Sequence, residues 1–82
     1  MNMQKQELYN VTPPVSERFK SPLSQTNGSC VTFAPIKDTS GRLIGIYVGD
    51  SQNPDIQGTR YTPEEFIAMA DGIDSIRKRL GL

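Results

Sequence analysis

The sequence predicts an α+β domain, in which a small antiparallel β-meander of three to four strands is packed by one C-terminal α-helix. Two patterns lead to this fold class. Between residues 19 and 62, β-favouring side chains alternate with a period of two and are separated by turn residues, whereas the segment after Thr62 repeats its apolar residues with a helical period. The length agrees: a chain of 82 residues with 35% apolar residues forms one domain with a thin core, which a partner chain would stabilise.

The first 17 residues predict a flexible N-terminal arm that precedes a single domain over residues 18–82. The arm is polar, and its Pro13-Pro14 pair forbids a continuous helix and favours an extended backbone. An alternative is that Leu8 and Tyr9 pack on a partner chain.

Four strands are expected, at residues 18–23, 30–36, 42–48 and 59–61. The third is the clearest, because isoleucine and valine occupy every second position. Pro22 and Pro35 lack the amide hydrogen of a strand ladder, which favours edge positions for the first two strands. The Asn27-Gly28 pair and residues 37–41 have the composition of reversing turns.

The C-terminal helix has clear start and stop signals. Thr62 is the expected N-cap, Pro63 follows at the first helical position, and Glu65 can return a hydrogen bond to the cap. Basic residues 77–79 suit the negative end of the helix dipole, and Gly81 ends the helix. With about 100° per residue, one apolar arc is expected to lie on the sheet and contains Phe66, Met69, Ala70, Ile73, Ile76 and Leu80.

Composition excludes several chemistries. The chain has no His and a single Cys, which excludes histidine-dependent catalysis, histidine metal sites, an intrachain disulfide and a cysteine zinc cluster. Nine basic residues balance nine acidic ones, which argues against direct nucleic-acid binding. The longest apolar run, residues 43–48, is far below the ~20 residues of a membrane helix, and the N terminus lacks a secretory pattern. We therefore expect a cytoplasmic protein without cofactor or membrane contact.

The loop after the third strand is the first candidate for chemistry. It carries Asp50, Ser51, Asn53 and Pro54. A serine nucleophile needs a base, and nothing in the sequence fixes one beside Ser51. These side chains are therefore expected to form hydrogen bonds within the turn.

Two further candidates lie elsewhere. Cys30 begins a strand, where a free cysteine packs as a small hydrophobe, although an exposed thiolate close to positive charge would be redox-active. The helix flank of Ile67, Asp71 and Asp74, with Arg77 next to it, is either a solvated face or a charge-complementary surface for a protein partner.

Several short motifs occur in a familiar order. They are Phe19-Lys20-Ser21-Pro22-Leu23-Ser24, Asn27-Gly28-Ser29-Cys30-Val31, Val48-Gly49-Asp50-Ser51 with Asn53-Pro54-Asp55, and Arg60-Tyr61-Thr62-Pro63-Glu64-Glu65-Phe66. Together they resemble domain-of-unknown-function family 397, the BldB-like small actinobacterial regulatory proteins. Phe19, Cys30 and Phe66 occupy the core positions of the family motif, with Phe66 in place of the common tryptophan. Gly49 and Gln52 stand where the family has basic residues, which marks a divergent member.

The resemblance implies regulation without catalysis. The implied function is a small homodimeric protein that binds a helix-turn-helix transcription regulator, in development or in a toxin–antitoxin-like pair. The alternative is a toxin-like effector or small enzyme that uses the Asp50-Ser51 loop. The absence of a catalytic constellation in the sequence favours the first interpretation.

Overall fold

The computed structural model describes residues 3–22 and 31–82. In those residues the chain forms strands β1 (Phe19–Lys20), β2 (Val31–Lys37), β3 (Leu43–Asp50) and β4 (Thr59–Tyr61). The helices are α1 (Met3–Leu8), a 3₁₀ turn (Val15–Glu17), α2 (Pro63–Asp71) and α3 (Ile73–Leu80). The strands form one antiparallel sheet in the order β1-β2-β3-β4, which confirms the α+β meander. The helices of the described ranges are too short and too polar to cross a membrane.

The β2–β3 hairpin is closed by the Asp38 side chain. Its Oδ1 accepts hydrogen bonds from the Ser40 amide (2.9 Å), the Ser40 hydroxyl (2.6 Å) and the Arg42 amide (3.0 Å). These bonds favour the charged form and hold the pKa of Asp38 below its ordinary value. Gly41 has a φ of 87°, which a residue with a Cβ rarely adopts. The sequence prediction of a hairpin loop is therefore confirmed.

Strand β2 lies inside the sheet, although Pro35 predicts an edge position. In the described chain β1 pairs only with Thr32 and Phe33, and Pro35 pairs with Ile46 of β3. Beyond Phe33, β2 therefore has a strand neighbour on one side only. The proline stands in the part of the strand that resembles an edge, where a missing amide hydrogen costs little.

The N-terminal segment covers one face of the sheet, where the sequence predicts a flexible arm over residues 1–17. Leu8 is 1% exposed and forms the core together with Ala34, Ile36 and Tyr47. It fills the space above Gly45, where an added Cβ would lie 2.7 Å from Leu8 Cδ2. The polar composition of the arm does not indicate this contact, because a single leucine that packs opposite a glycine is enough to hold the arm on the sheet.

The start of the C-terminal helix forms as predicted. The Thr62 hydroxyl accepts a hydrogen bond from the Glu65 amide (3.1 Å), and the Glu65 carboxylate accepts one from the Thr62 amide (3.0 Å). Lys5 of α1 forms an ion pair with Glu65 at 2.9 Å. The capping box therefore also ties the N-terminal segment to α2.

The second half of that helix differs from the prediction. The expected single helix is interrupted at Gly72 (φ −96°, ψ 8°), and α3 buries none of its residues. In α2 Phe66 and Met69 are half-buried, but the same apolar arc in α3, formed by Ile73, Ile76 and Leu80, is exposed. The main contacts of α3 are with the adjacent helix α2, and these contacts bury none of its residues.

Candidate functional site

An apolar groove opens on the face of the sheet that carries α2. Its cavity has a volume of about 440 Å³. The residues that line it are Phe19, Ser21, Pro22, Phe33, Ala34, Pro35, Leu43, Ile46 and Phe66. The wall is almost wholly apolar, and Phe19 (58% exposed) and Leu43 (44% exposed) stand open to solvent at its margin.

Three phenylalanine rings form one wall of this groove. Phe19 pairs with Phe33 in the strand register, and their ring centroids are 6.0 Å apart. The Phe66 ring of α2 meets Phe33 edge-on at 6.1 Å. Such edge-on contacts are favourable between aromatic rings. The alternation of β2 and the helix arc thus place the rings together from three separate elements.

The exposed stripe of α3 continues the same helix arc beyond Gly72. The Gly72 amide donates to the Ala68 carbonyl of α2 and the Gly72 carbonyl accepts from the Ile76 amide of α3, both at 3.1 Å, so Gly72 directly joins the two helices. At about 100° per residue, Arg77 and Arg79 flank the apolar stripe on its two sides. The groove and the stripe are two apolar surfaces, and basic residues flank the stripe.

The predicted flank of Ile67, Asp71 and Asp74 is a separate exposed surface. Ile67 is 58% exposed, and Arg77 Nη1 lies 3.8 Å from Asp74 Oδ1. None of these four residues lines the apolar groove. The structure therefore offers two different surfaces for a partner, and the groove is the more apolar.

The Asp50 carboxylate is engaged in its own turn. Its Oδ1 accepts from the Gln52 amide (2.9 Å) and its Oδ2 accepts from Asn53 Nδ2 (3.0 Å). These hydrogen bonds lower the pKa of Asp50, the one from Asn53 most. Ser51 and Pro54 are exposed and line a cavity beside β1. Within residues 3–22 and 31–82 no His, Cys, Asp and Glu side chains form a group that could hold a metal ion.

A buried arginine stands on the other face of the sheet. Arg60 is 1% exposed, and its guanidinium lies 4.7 Å from the ring centroid of Tyr47 and 5.4 Å from that of Tyr9. Its Nη2 donates to the Val11 carbonyl (2.9 Å) and its Nη1 to the Gln57 carbonyl. Burial lowers the pKa of Arg60. Arginine is seldom fully buried, so sequence reasoning gives this residue no special weight.

A second guanidinium shares the Tyr47 ring. Arg18 lies 4.7 Å from the ring centroid and donates from Nε and Nη2 to the Pro13 carbonyl, at 3.2 and 2.9 Å. Contacts of this kind stabilise a desolvated cation. Arg18 and Arg60 therefore hold the N-terminal segment on the sheet.

The motif residues fall in different places. Phe19 and Phe66, expected in the core, line the groove instead, because the face of the sheet that they occupy is only partly covered. Cys30 lies outside the described residues. The Asn27-Gly28 turn lies outside them too.

No protein-family model, curated protein or solved structure matches this chain. The resemblance to domain-of-unknown-function family 397 therefore stays a prediction from the motifs.

Proposed function

We propose that this chain is a small cytoplasmic, non-catalytic regulatory protein that acts by protein–protein interaction through the apolar groove. The observation that carries the proposal is the open wall formed by Phe19, Phe33 and Phe66 beside the exposed Leu43. Aromatic pockets with a polar surround are typical anchor sites in protein interfaces.

The thin core supports a role that depends on a partner. Among the described residues, only four hydrophobic side chains are buried. Helix α3 has eight residues and no packed face, and an isolated helix of that length is marginal in water. A partner that covers the groove and the stripe of α3 would stabilise both.

The partner we propose is a helix-turn-helix transcription regulator, as the family resemblance implies. The complementary surface is an apolar anchor for the groove with carboxylates that face Arg77 and Arg79. We also propose a homodimer, as the family resemblance implies.

The toxin-like or enzymatic alternative finds less support. The Asp50 carboxylate is held by Gln52 and Asn53, so both of its oxygens already accept hydrogen bonds. Such a carboxylate with a lowered pKa is a poor general base.

Co-purification with helix-turn-helix regulators of the source organism tests the proposal. Leu43→Glu places a charge in the groove at an exposed position and should abolish capture while the melting temperature stays close to that of the unaltered protein. Ile56→Glu is the matched control, because Ile56 is exposed and lies outside the groove. Capture should survive it.

A further variant separates the two surfaces. Ile67→Glu should leave capture intact if the groove binds the partner. If Ile67→Glu abolishes capture and Leu43→Glu does not, the partner binds the helix flank, and the proposal that it binds the groove is refuted. Unchanged operator binding by the regulator in the presence of this chain would count against a regulatory role.

A further inference from the structure

A small cavity of mixed polar and apolar lining lies between β1, the start of β2 and the loop that follows β3. Its volume is about 360 Å³. The residues that line it are Val15, Arg18, Phe19, Lys20, Thr32, Ser51 and Pro54. Two cations and two hydroxyl groups thus surround one cavity, which is a donor set suited to an anion.

The two cations at this cavity form no ion pair with the residues that the structure describes. In the part of the chain that the structure describes, the ion pairs are Lys5 with Glu65 and Arg77 with Asp74. Arg18 instead donates to backbone carbonyls, with a long contact of 3.4 Å to Pro54. Carbonyl oxygens carry no formal charge, so these hydrogen bonds do not cancel the positive charge of the guanidinium.

A third cation lies just behind the cavity. Arg60 shares the Tyr47 ring with Arg18, and the described residues offer it carbonyl and aromatic contacts but no ion pair. The repulsion between the two arginines contributes to the lowered pKa of Arg60. An anion at the cavity would relieve this concentration of positive charge.

The carboxylates of the neighbouring loop do not fill this role. Both oxygens of Asp50 are bonded to Gln52 and Asn53, and Asp50 does not line the cavity. Asp55 lines the adjoining cavity instead. Asp55 shares that cavity with Arg18, but the ion pairs of the described residues include neither of them, so the loop leaves Arg18 and Lys20 without a paired carboxylate.

The floor of the cavity carries a hydroxyl without a partner. Thr32 is 6% exposed and pairs with Lys20 in the strand register. Its Oγ1 has no hydrogen-bond partner among the described residues. Buried polar groups are nearly always hydrogen-bonded, so this hydroxyl in the lining of a cavity with two cations is available to bond an oxygen of a ligand.

We propose that this cavity binds the oxyanion group, phosphate or carboxylate, of a small organic molecule. Arg18 and Lys20 supply the charge, and the Ser51 hydroxyl donates a hydrogen bond. The adjoining cavity, about 540 Å³ in volume, shares Arg18 and Pro54 with this one and is walled by Tyr47 and Ile56. It has room for the organic part of the ligand.

Amide NMR titrations with inorganic phosphate and with acetate, at constant ionic strength, test the site. Shifts should concentrate at Lys20, Thr32 and Ser51. Lys20→Gln should weaken binding about tenfold, since loss of one charge-assisted hydrogen bond corresponds to about 1.4 kcal/mol. The matched control is Lys37→Gln, another exposed strand lysine, which should bind as the unaltered protein does.

The two anions distinguish the ligand group. A response to phosphate alone identifies a phosphoryl ligand, and a response to acetate alone identifies a carboxylate ligand. Either outcome supports the proposed anion site. No localised shift with either anion would overturn it. Equal weakening by Lys20→Gln and Lys37→Gln would also overturn it, because the effect would then be that of net charge. Ser51→Ala, at an exposed position, repeats the test without changing charge.

Discussion

Docking of the N-terminal segment can be tested by removing the side chain that fills the space above Gly45. Leu8→Ala deletes a leucine that is 1% exposed. Such truncations cost about 2–5 kcal/mol, because the transfer free energy is lost and a cavity remains. A core of this size supplies only about 3–5 kcal/mol in total. Leu8→Ala should therefore leave the chain close to its unfolding midpoint in plain buffer.

The facing position gives an independent measure of the same contact. In Gly45→Ala, the new Cβ would approach Leu8 Cδ2 to 2.7 Å and Leu8 Cδ1 to 2.8 Å. Such overpacking costs about 1–3 kcal/mol. In the Leu8→Ala background the clash is absent, so Gly45→Ala should cost less there. The double-mutant cycle should give a coupling of at least about 1 kcal/mol.

Urea denaturation followed by far-ultraviolet circular dichroism measures these free energies of unfolding. Val11→Ala is the control, because Val11 is exposed and only its backbone carbonyl contacts Arg60. If Leu8→Ala and Val11→Ala lower the free energy of unfolding by amounts within about 0.5 kcal/mol of each other, the segment is not docked. Strict additivity of Leu8→Ala and Gly45→Ala would refute the contact between them.

Three further predictions concern the C-terminal helix and the turns. Thr62→Ala removes the cap and should lower the unfolding free energy by about 0.5–2 kcal/mol in the same urea assay. Gly72→Ala should raise helical ellipticity, because alanine favours the helix. The new Cβ would lie 3.3 Å from the Ala68 carbonyl oxygen, a tight contact that limits the gain in unfolding free energy to about 0.5 kcal/mol. A fall in ellipticity would contradict this. Hydrogen bonds lower the pKa values of Asp38, Asp50 and Glu65 in the folded chain. The stability that these three carboxylates contribute should therefore be fully present above their ordinary pKa values and be lost as the pH falls through their lowered pKa values in the folded chain. Urea titrations at pH 7, 4 and 3 measure this loss.

Local features were predictable from the sequence because their partners are close along the chain. The Thr62–Glu65 box spans three residues, and the Asp38 turn spans four. The strand order followed from alternation and from short connections. Each of these signals is complete within a window of a few residues, so no knowledge of the tertiary fold was needed.

The remaining features depend on contacts between distant residues. Docking of Leu8 requires a glycine 37 positions later, at Gly45, which composition cannot reveal. A helical period shows that Ile73, Ile76 and Leu80 share a face, but it does not show whether a strand lies beneath that face.

The candidate sites follow the same division. The turn role of Asp50 was predicted from its neighbours in the chain. The groove required Phe19, Phe33 and Phe66 to meet from three elements, and the cationic cavity required Arg18 to face the loop after β3. Neither juxtaposition leaves a signal within one segment.

The contacts that hold the N-terminal segment also fix an order of events during synthesis. The Arg60 amide donates to the Tyr9 hydroxyl, 51 residues away, and its guanidinium to the Val11 carbonyl, 49 residues away. The β2–β3 hairpin is local and already carries the residues on which Leu8 packs, whereas the hydrogen bonds of Tyr9 and Val11 must wait for Arg60 of β4. Until then these two hydrogen bonds are missing, so the docking of the N-terminal segment is completed only when the last strand of the sheet has been synthesised.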